Sequence, residues 1–297
     1  MKKESTTALV SAFARVFHAK NNLQKIFDDR INLLTDDEYE NIALNMTKGI
    51  SFFNPDFKGD DNEALRWVVN HQLSPTPLGR TAYAEESLAT AVTLGVTQYM
   101  IFGAGLDTFC LRQPDFSDKL HIFELDHPLT QSFKKNRLTE KHLDVPTNTE
   151  FLSCDFNDLD WENVLLNNGS FQKEALSFCT LLGLSYYLTP EAFERMIQKI
   201  SHLLIKGSSL VFDYPDEFTF TDNASYRVKK QLEMASYGGE SMLAAYSYEQ
   251  IEQLLQRCGF AIYEHLNPSE ITERYFSKHG SEMTSFENVN YLLAVKQ

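Results

Sequence analysis

The stretch Gln98-Tyr-Met-Ile-Phe102, running directly into Gly103-Ala104-Gly105, constrains this chain more than any other feature. A short apolar run that stops at a glycine reads as a strand buried on both faces, the kind that occupies the interior of a parallel sheet. Glycine permits positive φ and lets another molecule approach the backbone without a Cβ in the way. A tight turn at the carboxyl end of such a strand lies where open α/β sheets hold their ligands. Taken alone, G-x-G is as compatible with a plain turn as with a site.

The rest of the chain supplies the context. Residues 81–94 form a helix pattern closed by Gly95, and further strands are expected at 120–125, 150–153, 175–182 and 208–214. Between them the patterning predicts helices at about 128–141, 160–167 and 189–205, the last with Thr189 as N-cap and Pro190 in its first turn. A helix at 247–258 and strands at 260–266 and 289–296 complete the chain. Strands alternating with helices predict an α/β fold, a largely parallel, three-layer Rossmann-like sheet.

Ahead of this region, residues 5–20 place Leu9, Ala12, Phe13, Val16 and Phe17 on one helical face. Weaker helical patterning continues through 22–72. It ends at Ser74-Pro-Thr-Pro-Leu-Gly79, where two prolines are expected to break the helix. The reading is therefore a helical N-terminal extension over 1–78 and a main domain over 79–297, with a polar, irregular insertion at about 216–246.

Composition narrows the function. A net charge of −14 argues against general nucleic-acid binding, which needs a basic surface to displace counterions from phosphates. Cys110, Cys154, Cys179 and Cys258 lie far apart, without the spacing of a zinc or redox site, so reduced thiols and no metal are expected. No run approaches the ~20 apolar residues of a membrane span. The first twenty residues lack the unbroken apolar stretch of a signal peptide. A cytoplasmic protein without membrane partners is the expectation, its oligomeric state open.

The second strand ends in Glu124-Leu-Asp126, 23 residues after Gly103. A carboxylate at that tip is suited to accept from the two ribose hydroxyls of an adenosine cofactor, and Glu124 and Asp126 alternate to the same side, so either could serve. This arrangement suits both a nicotinamide dinucleotide and S-adenosylmethionine. A dinucleotide site wants a third glycine to bring the helix N-terminus close to the pyrophosphate. Thr108 stands there instead, after the acidic Asp107. A carboxylate is unfavourable beside a pyrophosphate and favourable beside a sulfonium, so local charge favours the methyl donor.

At this point the chain resembles a known family. Gly79-Arg-Thr81, Phe102-Gly-Ala-Gly-Leu-Asp-Thr108 with Arg112, and Phe123-Glu-Leu-Asp-His-Pro128 are similar to the leucine carboxyl methyltransferase family, which includes many bacterial O-methyltransferases. The match is densest over 80–190. The resemblance implies a class I methyltransferase that uses S-adenosylmethionine. In it Arg80 meets the methionine carboxylate, and Gly103, Ala104 and Gly105 pass beneath that moiety. Asp126 is the ribose-binding acid supported by Glu124, and Asp155 and Phe156 bracket the adenine. One departure stands out: after the fourth strand, where the family typically carries an acidic residue, this chain reads Leu181-Leu-Gly183, with Leu182 in the acidic position.

Methyl transfer from a sulfonium is an in-line displacement, so the protein chiefly positions the reactants and excludes water. A carboxylate acceptor needs no base, whereas a hydroxyl needs one within hydrogen-bond reach. No base is identifiable: His127 is read as a cap on the next helix, and the catalytic residues stay unassigned. Tyr186, Tyr187 and Tyr214 stand near strand ends where a small-molecule acceptor would sit. The 216–246 insertion is expected to act as a lid, with Phe218, Phe220, Tyr226 and Tyr237 facing inward and Gly238-Gly239 as hinge. The competing readings are a nicotinamide-dependent oxidoreductase and a non-catalytic protein that keeps the fold, the latter suggested by Leu182.

Overall fold

The computed structural model of the protein describes residues 5–297. The apolar runs become β1 (Gln98–Phe102), β2 (His121–Asp126), β3 (Thr149–Ser153), β4 (Ser177–Leu181), β5 (Ser209–Pro215), β6 (Phe260–Leu266) and β7 (Val289–Lys296). They form one sheet in the order β3-β2-β1-β4-β5-β7-β6. The first five pair in parallel, and β7 lies antiparallel between β5 and β6. Every residue of β1, β4 and β5 is buried, which explains why these strands read as apolar runs rather than as alternating ones.

Strand alternation divides the core in two. Tyr99, Ile101, Ile122, Phe178 and Val211 face one layer, while Met100, Phe102, Phe123, Cys179 and Phe212 face the other. The longer helices are α1 (Thr6–Asn21), α2 (Asp36–Lys48), α3 (Asp61–Val68), α4 (Pro75–Thr93), α5 (Pro128–Glu140), α6 (Pro190–Leu203), α7 (Tyr226–Tyr237) and α8 (Tyr248–Arg257). Leu78, Tyr83 and Leu88 of α4 close the first layer, and Phe193, Met196 and Ile197 of α6 with Ile251 and Leu255 of α8 close the second. A third core, with Phe13 and Phe17 of α1, Val68 of α3 and Leu106, joins the N-terminal helices to the glycine turn. The four cysteines are buried and unpaired. No described helix is long and apolar enough to cross a membrane.

Two elements differ from expectation. The prolines of Ser74–Gly79 do not break a helix; Pro75 and Pro77 sit in the first turn of α4, where backbone N–H groups have no intrahelical partner for proline to remove. A π turn, Val69–Leu73, leads into it from α3, with the Ser74 amide donating to the Val69 carbonyl at 2.8 Å. Gly79 and Arg80 are thus carried on a rigid helix, and the expected boundary at 78/79 falls inside that helix. The insertion is likewise less irregular than expected: α7 occupies its middle, capped by Ser225, whose hydroxyl accepts from the Val228 amide.

From β1 the chain moves outward to β2 and β3, then returns to β4 on the other side of β1. At such a reversal the connections part, leaving a crevice beyond the carboxyl ends of the strands.

Candidate functional site

A cavity of about 730 Å³ opens at that reversal. This is the size range of cofactor and small-ligand sites. Its floor is the turn after β1. Gly103 and Gly105 adopt φ of 70° and 53°, conformations in which a side chain would be strained. The Gly103 amide donates to the Leu125 carbonyl at 2.8 Å, so β2 holds the turn in place.

Asp126, at the tip of β2, forms one wall. It accepts from the Gly105 amide at 2.5 Å and from the His127 amide at 2.6 Å. A carboxylate has about four acceptor positions, so two stay available toward the cavity. Burial pushes its pKa above the ordinary value, opposed by the two backbone amides. Asp107 also lines the floor, its Oδ1 accepting from the Phe109 amide at 2.7 Å. Ala104 lies between the two glycines in the same lining.

Arg80 projects from α4 into the cavity, with its guanidinium 3.3 Å from Asp213 Oδ2. Asp213 is fully buried on β5. It also accepts from the Gly183 amide at 2.6 Å and from the Tyr186 hydroxyl at 3.0 Å. Burial disfavours the Arg80 charge, but Asp213 together with the Tyr186, Tyr291 and Tyr187 phenols outweighs it and holds the guanidinium's pKa above its usual value. Gly183, at φ 68°, lies directly beneath this group; a Cβ there would come within 2.3 Å of Arg80 Nη1. Leu182 lines the cavity beside it. The buried carboxylate nearby thus comes from Asp213 on the neighbouring strand, a residue the sequence reading passed over.

Other expected residues fall elsewhere. Glu124 shares a face with Asp126 but sits one rung deeper, fully buried and ion-paired with Lys134, outside the cavity lining. Asp155 and Phe156 follow β3 close to this wall without lining the cavity. Asp155 accepts from the Asn157 amide at 2.9 Å and lies 3.7 Å from His127 Nε2, while Phe156 packs on Phe102 and Trp161. Tyr186 and Tyr187 line the cavity, and burial pushes the Tyr187 phenol up to about 12. Tyr214 does not line it. It follows Asp213 on the strand, so it points to the opposite face, where its hydroxyl meets His265 Nε2 at 2.9 Å. His127 caps α5, its ring accepting from the Leu129 amide.

The roof is built from the start of α1 and from the segment 231–243. Gln231, Met234, Ala235 and Gly238 share one face of α7 and point inward. Phe218, Phe220, Tyr226 and Tyr237, expected on the inner face, are instead half exposed or more. Gly239, at φ 78°, turns the chain after α7 and brings Glu240 to the start of α1. There its carboxylate accepts from the Thr6 amide at 3.0 Å, the Thr7 amide at 3.1 Å and both the Ser5 and Thr7 hydroxyls. A negative group is stabilised at that end of a helix. Arg15 of α1, itself part of the lining, braces the floor: it donates to the Leu106 carbonyl at 2.7 Å and to Asp29 at 2.9 Å, and Asp29 accepts from Thr108.

Known proteins match this architecture. Residues 8–201 match the family described as leucine carboxyl methyltransferase. YktD of Bacillus subtilis strain 168, described as a "Putative S-adenosyl-L-methionine-dependent methyltransferase", is 41% identical over 99% of both chains. The chain belongs to the leucine carboxyl methyltransferase family. The family's motif region thus covers the N-terminal helices, the glycine turn and the strands as far as α6. Among solved structures, a DUF574 family protein from Streptomyces avermitilis superposes with a TM-score of 0.54 at 12% identity, over 84% of this chain and 97% of its own. A "putative methyltransferase" from Thermobifida fusca gives 0.52 at 15% identity, over 86% and 94%. At such low identity these two establish the fold alone, a Rossmann-like α/β sheet.

Proposed function

We propose that this protein is an S-adenosylmethionine-dependent O-methyltransferase acting on a small molecule, with a carboxylate as the methyl acceptor. The observation that carries the reading is one continuous cavity that brings together the glycine turn, Asp126 and Arg80. YktD, whose description names the same methyl donor, supports it. The residues fit that donor. Two glycines in left-handed conformation leave room for a backbone-hugging ligand, Asp126 offers acceptor positions for ribose hydroxyls, and Arg80 offers a buried cation for a carboxylate. Asp107 adds a negative charge that suits a sulfonium and not a pyrophosphate. Asp155 and Phe156 would meet the adenine after local rearrangement, and Glu124 acts only as support beneath Asp126.

When bound, S-adenosylmethionine supplies an electrophilic methyl group on a sulfonium. The protein's part is to orient the acceptor oxygen, close the roof over it and keep water out. The titratable groups lining the cavity are already engaged: Asp126 and Asp107 with backbone amides, Glu240 with α1, Arg80 with Asp213. Burial raises the Tyr186 and Tyr187 phenols, which makes them poor bases at neutral pH. An acceptor that is already an anion needs none of these groups as a base. Asp213, and not residue 182, supplies the carboxylate that sets Arg80. The test is incubation of the purified protein with methyl-labelled donor and a metabolite extract. Label recovered in base-labile methyl esters is expected. Label only in base-stable ethers would point to a hydroxyl acceptor, and no transfer to any compound would favour a non-catalytic role.

A further inference from the structure

Three polar side chains of the cavity stand outside the set assigned above to the methyl donor. Gln72 is 5% exposed, and its Oε1 has no hydrogen-bond partner. Thr76 Oγ1 and Gln231 Oε1 are likewise buried and without partners, and all three residues line the cavity. Burying such a group unpaired costs free energy, so a native chain retains three of them together only where something satisfies them.

Their placement makes them one cluster. Gln72 sits in the π turn Val69–Leu73, and irregular turns of this kind recur at functional sites. Thr76 follows four residues later on α4, hence on the same helical face, and Arg80 four residues beyond that. Gln231 belongs to α7, one turn after Arg227, whose guanidinium donates to the His71 carbonyl at 2.6 Å. That bond draws the inner face of α7 against the residue beside Gln72. The cluster therefore lies along α4 on the side of Arg80 away from the glycine turn, beneath the roof.

We infer that Gln72, Thr76 and Gln231 form a recognition subsite for an uncharged N–H or O–H group on the methyl acceptor, remote from the oxygen that is methylated. The fully buried glutamine atoms without a partner are both oxygens, which accept hydrogen bonds, and the buried threonine hydroxyl can accept as well. The acceptor class is thus an amide- or hydroxyl-bearing carboxylic acid, not an aliphatic or plain aromatic one. This inference rests on the methyltransferase reading above. A site built to satisfy a polar group rejects the analogue that lacks it, because its own buried atoms are then left unpaired.

The test uses the intact protein saturated with S-adenosylhomocysteine and two matched pairs of acids, with binding followed by calorimetry. One pair is N-acetyl-β-alanine and the ketone acid in which CH2 replaces its N–H. The other is 4-(hydroxymethyl)benzoate and 4-ethylbenzoate, in which methyl replaces the remote hydroxyl. In each pair the donor-bearing acid is expected to bind about tenfold more tightly, the worth of one buried hydrogen bond. Gln72→Leu and Gln231→Leu should abolish the preference while leaving S-adenosylhomocysteine affinity unchanged, which also reports an intact fold. Equal binding within both pairs, binding by none of the four acids, or a preference that survives both substitutions overturns the proposal. Failure of the wild-type protein to bind S-adenosylhomocysteine would instead overturn the methyltransferase reading on which it depends.

Discussion

Asp126 and Asp213 show how differently single residues declare themselves. Asp126 was legible because its signal is local: a carboxylate at a strand tip at a set distance from a glycine turn. Replacing it with alanine removes an acceptor for two backbone amides and for the ligand, each bond to a charged group worth about 1.5–3 kcal/mol. Calorimetry with S-adenosylhomocysteine should show affinity reduced by about a hundredfold or more. Burial raises the pKa of Asp126, so acidification should weaken binding starting above the ordinary carboxylate range, and Asp126→Asn should flatten that dependence. Asp213 gave no such signal. Its partner Arg80 is 133 residues away in sequence, and its strand reads simply as apolar. Removing one member of a buried ion pair strands the other, so Asp213→Ala should lower stability by about 3–5 kcal/mol in urea unfolding. Asp213→Asn, which keeps the shape, should act chiefly on donor affinity.

At the scale of elements, most helices and strands followed from periodicity, and the exceptions share a cause. Proline in 75–77 was read as a breaker because the start of α4 is set by what precedes it, the π turn packed on α1, and not by its own residues. The inner face of α7 was misread because aromatic content does not say which side of a helix meets the core; Gln231, Met234 and Ala235 do, by their spacing. Glu240 ties the roof to α1, and Glu240→Ala should free it. Limited proteolysis should then cut within 238–246 faster than in the wild type, with cofactor binding reduced less than acceptor binding. His18, near the end of α1, is fully buried, and its Nε2 accepts from the Ile26 amide. Burial and then Lys25 lower its pKa from 6.5 to about 4. The unfolded chain takes up this proton first, so the stabilisation is complete above about pH 6.5 and is lost as pH falls toward 4. The difference in melting temperature between wild type and His18→Gln should narrow across that window.

For the molecule as a whole, the decisive property is the reversal of strand order between β1 and β4, which creates one crevice large enough for donor and acceptor together. Ligand linkage gives a global test. S-adenosylhomocysteine at a hundred times its Kd should stabilise the fold by about 2.7 kcal/mol, while a nicotinamide dinucleotide should leave it unchanged. Thermal unfolding reads both, and the reverse result would restore the oxidoreductase reading.

Local chemistry was enough to specify the strand ladder, the glycine turn and the acid at the next strand's tip, because apolar period, backbone conformational freedom and short spacing act between near neighbours. Tertiary structure alone decided the rest. It placed β7 between β5 and β6, sealed Glu124 against Lys134 and turned Tyr214 away from the cavity. It also set Asp213 beneath Arg80 and closed the roof by joining Glu240 to Ser5, Thr6 and Thr7. Each of these depends on strand register or on partners tens to hundreds of residues apart, and such pairings exist only once the chain has packed.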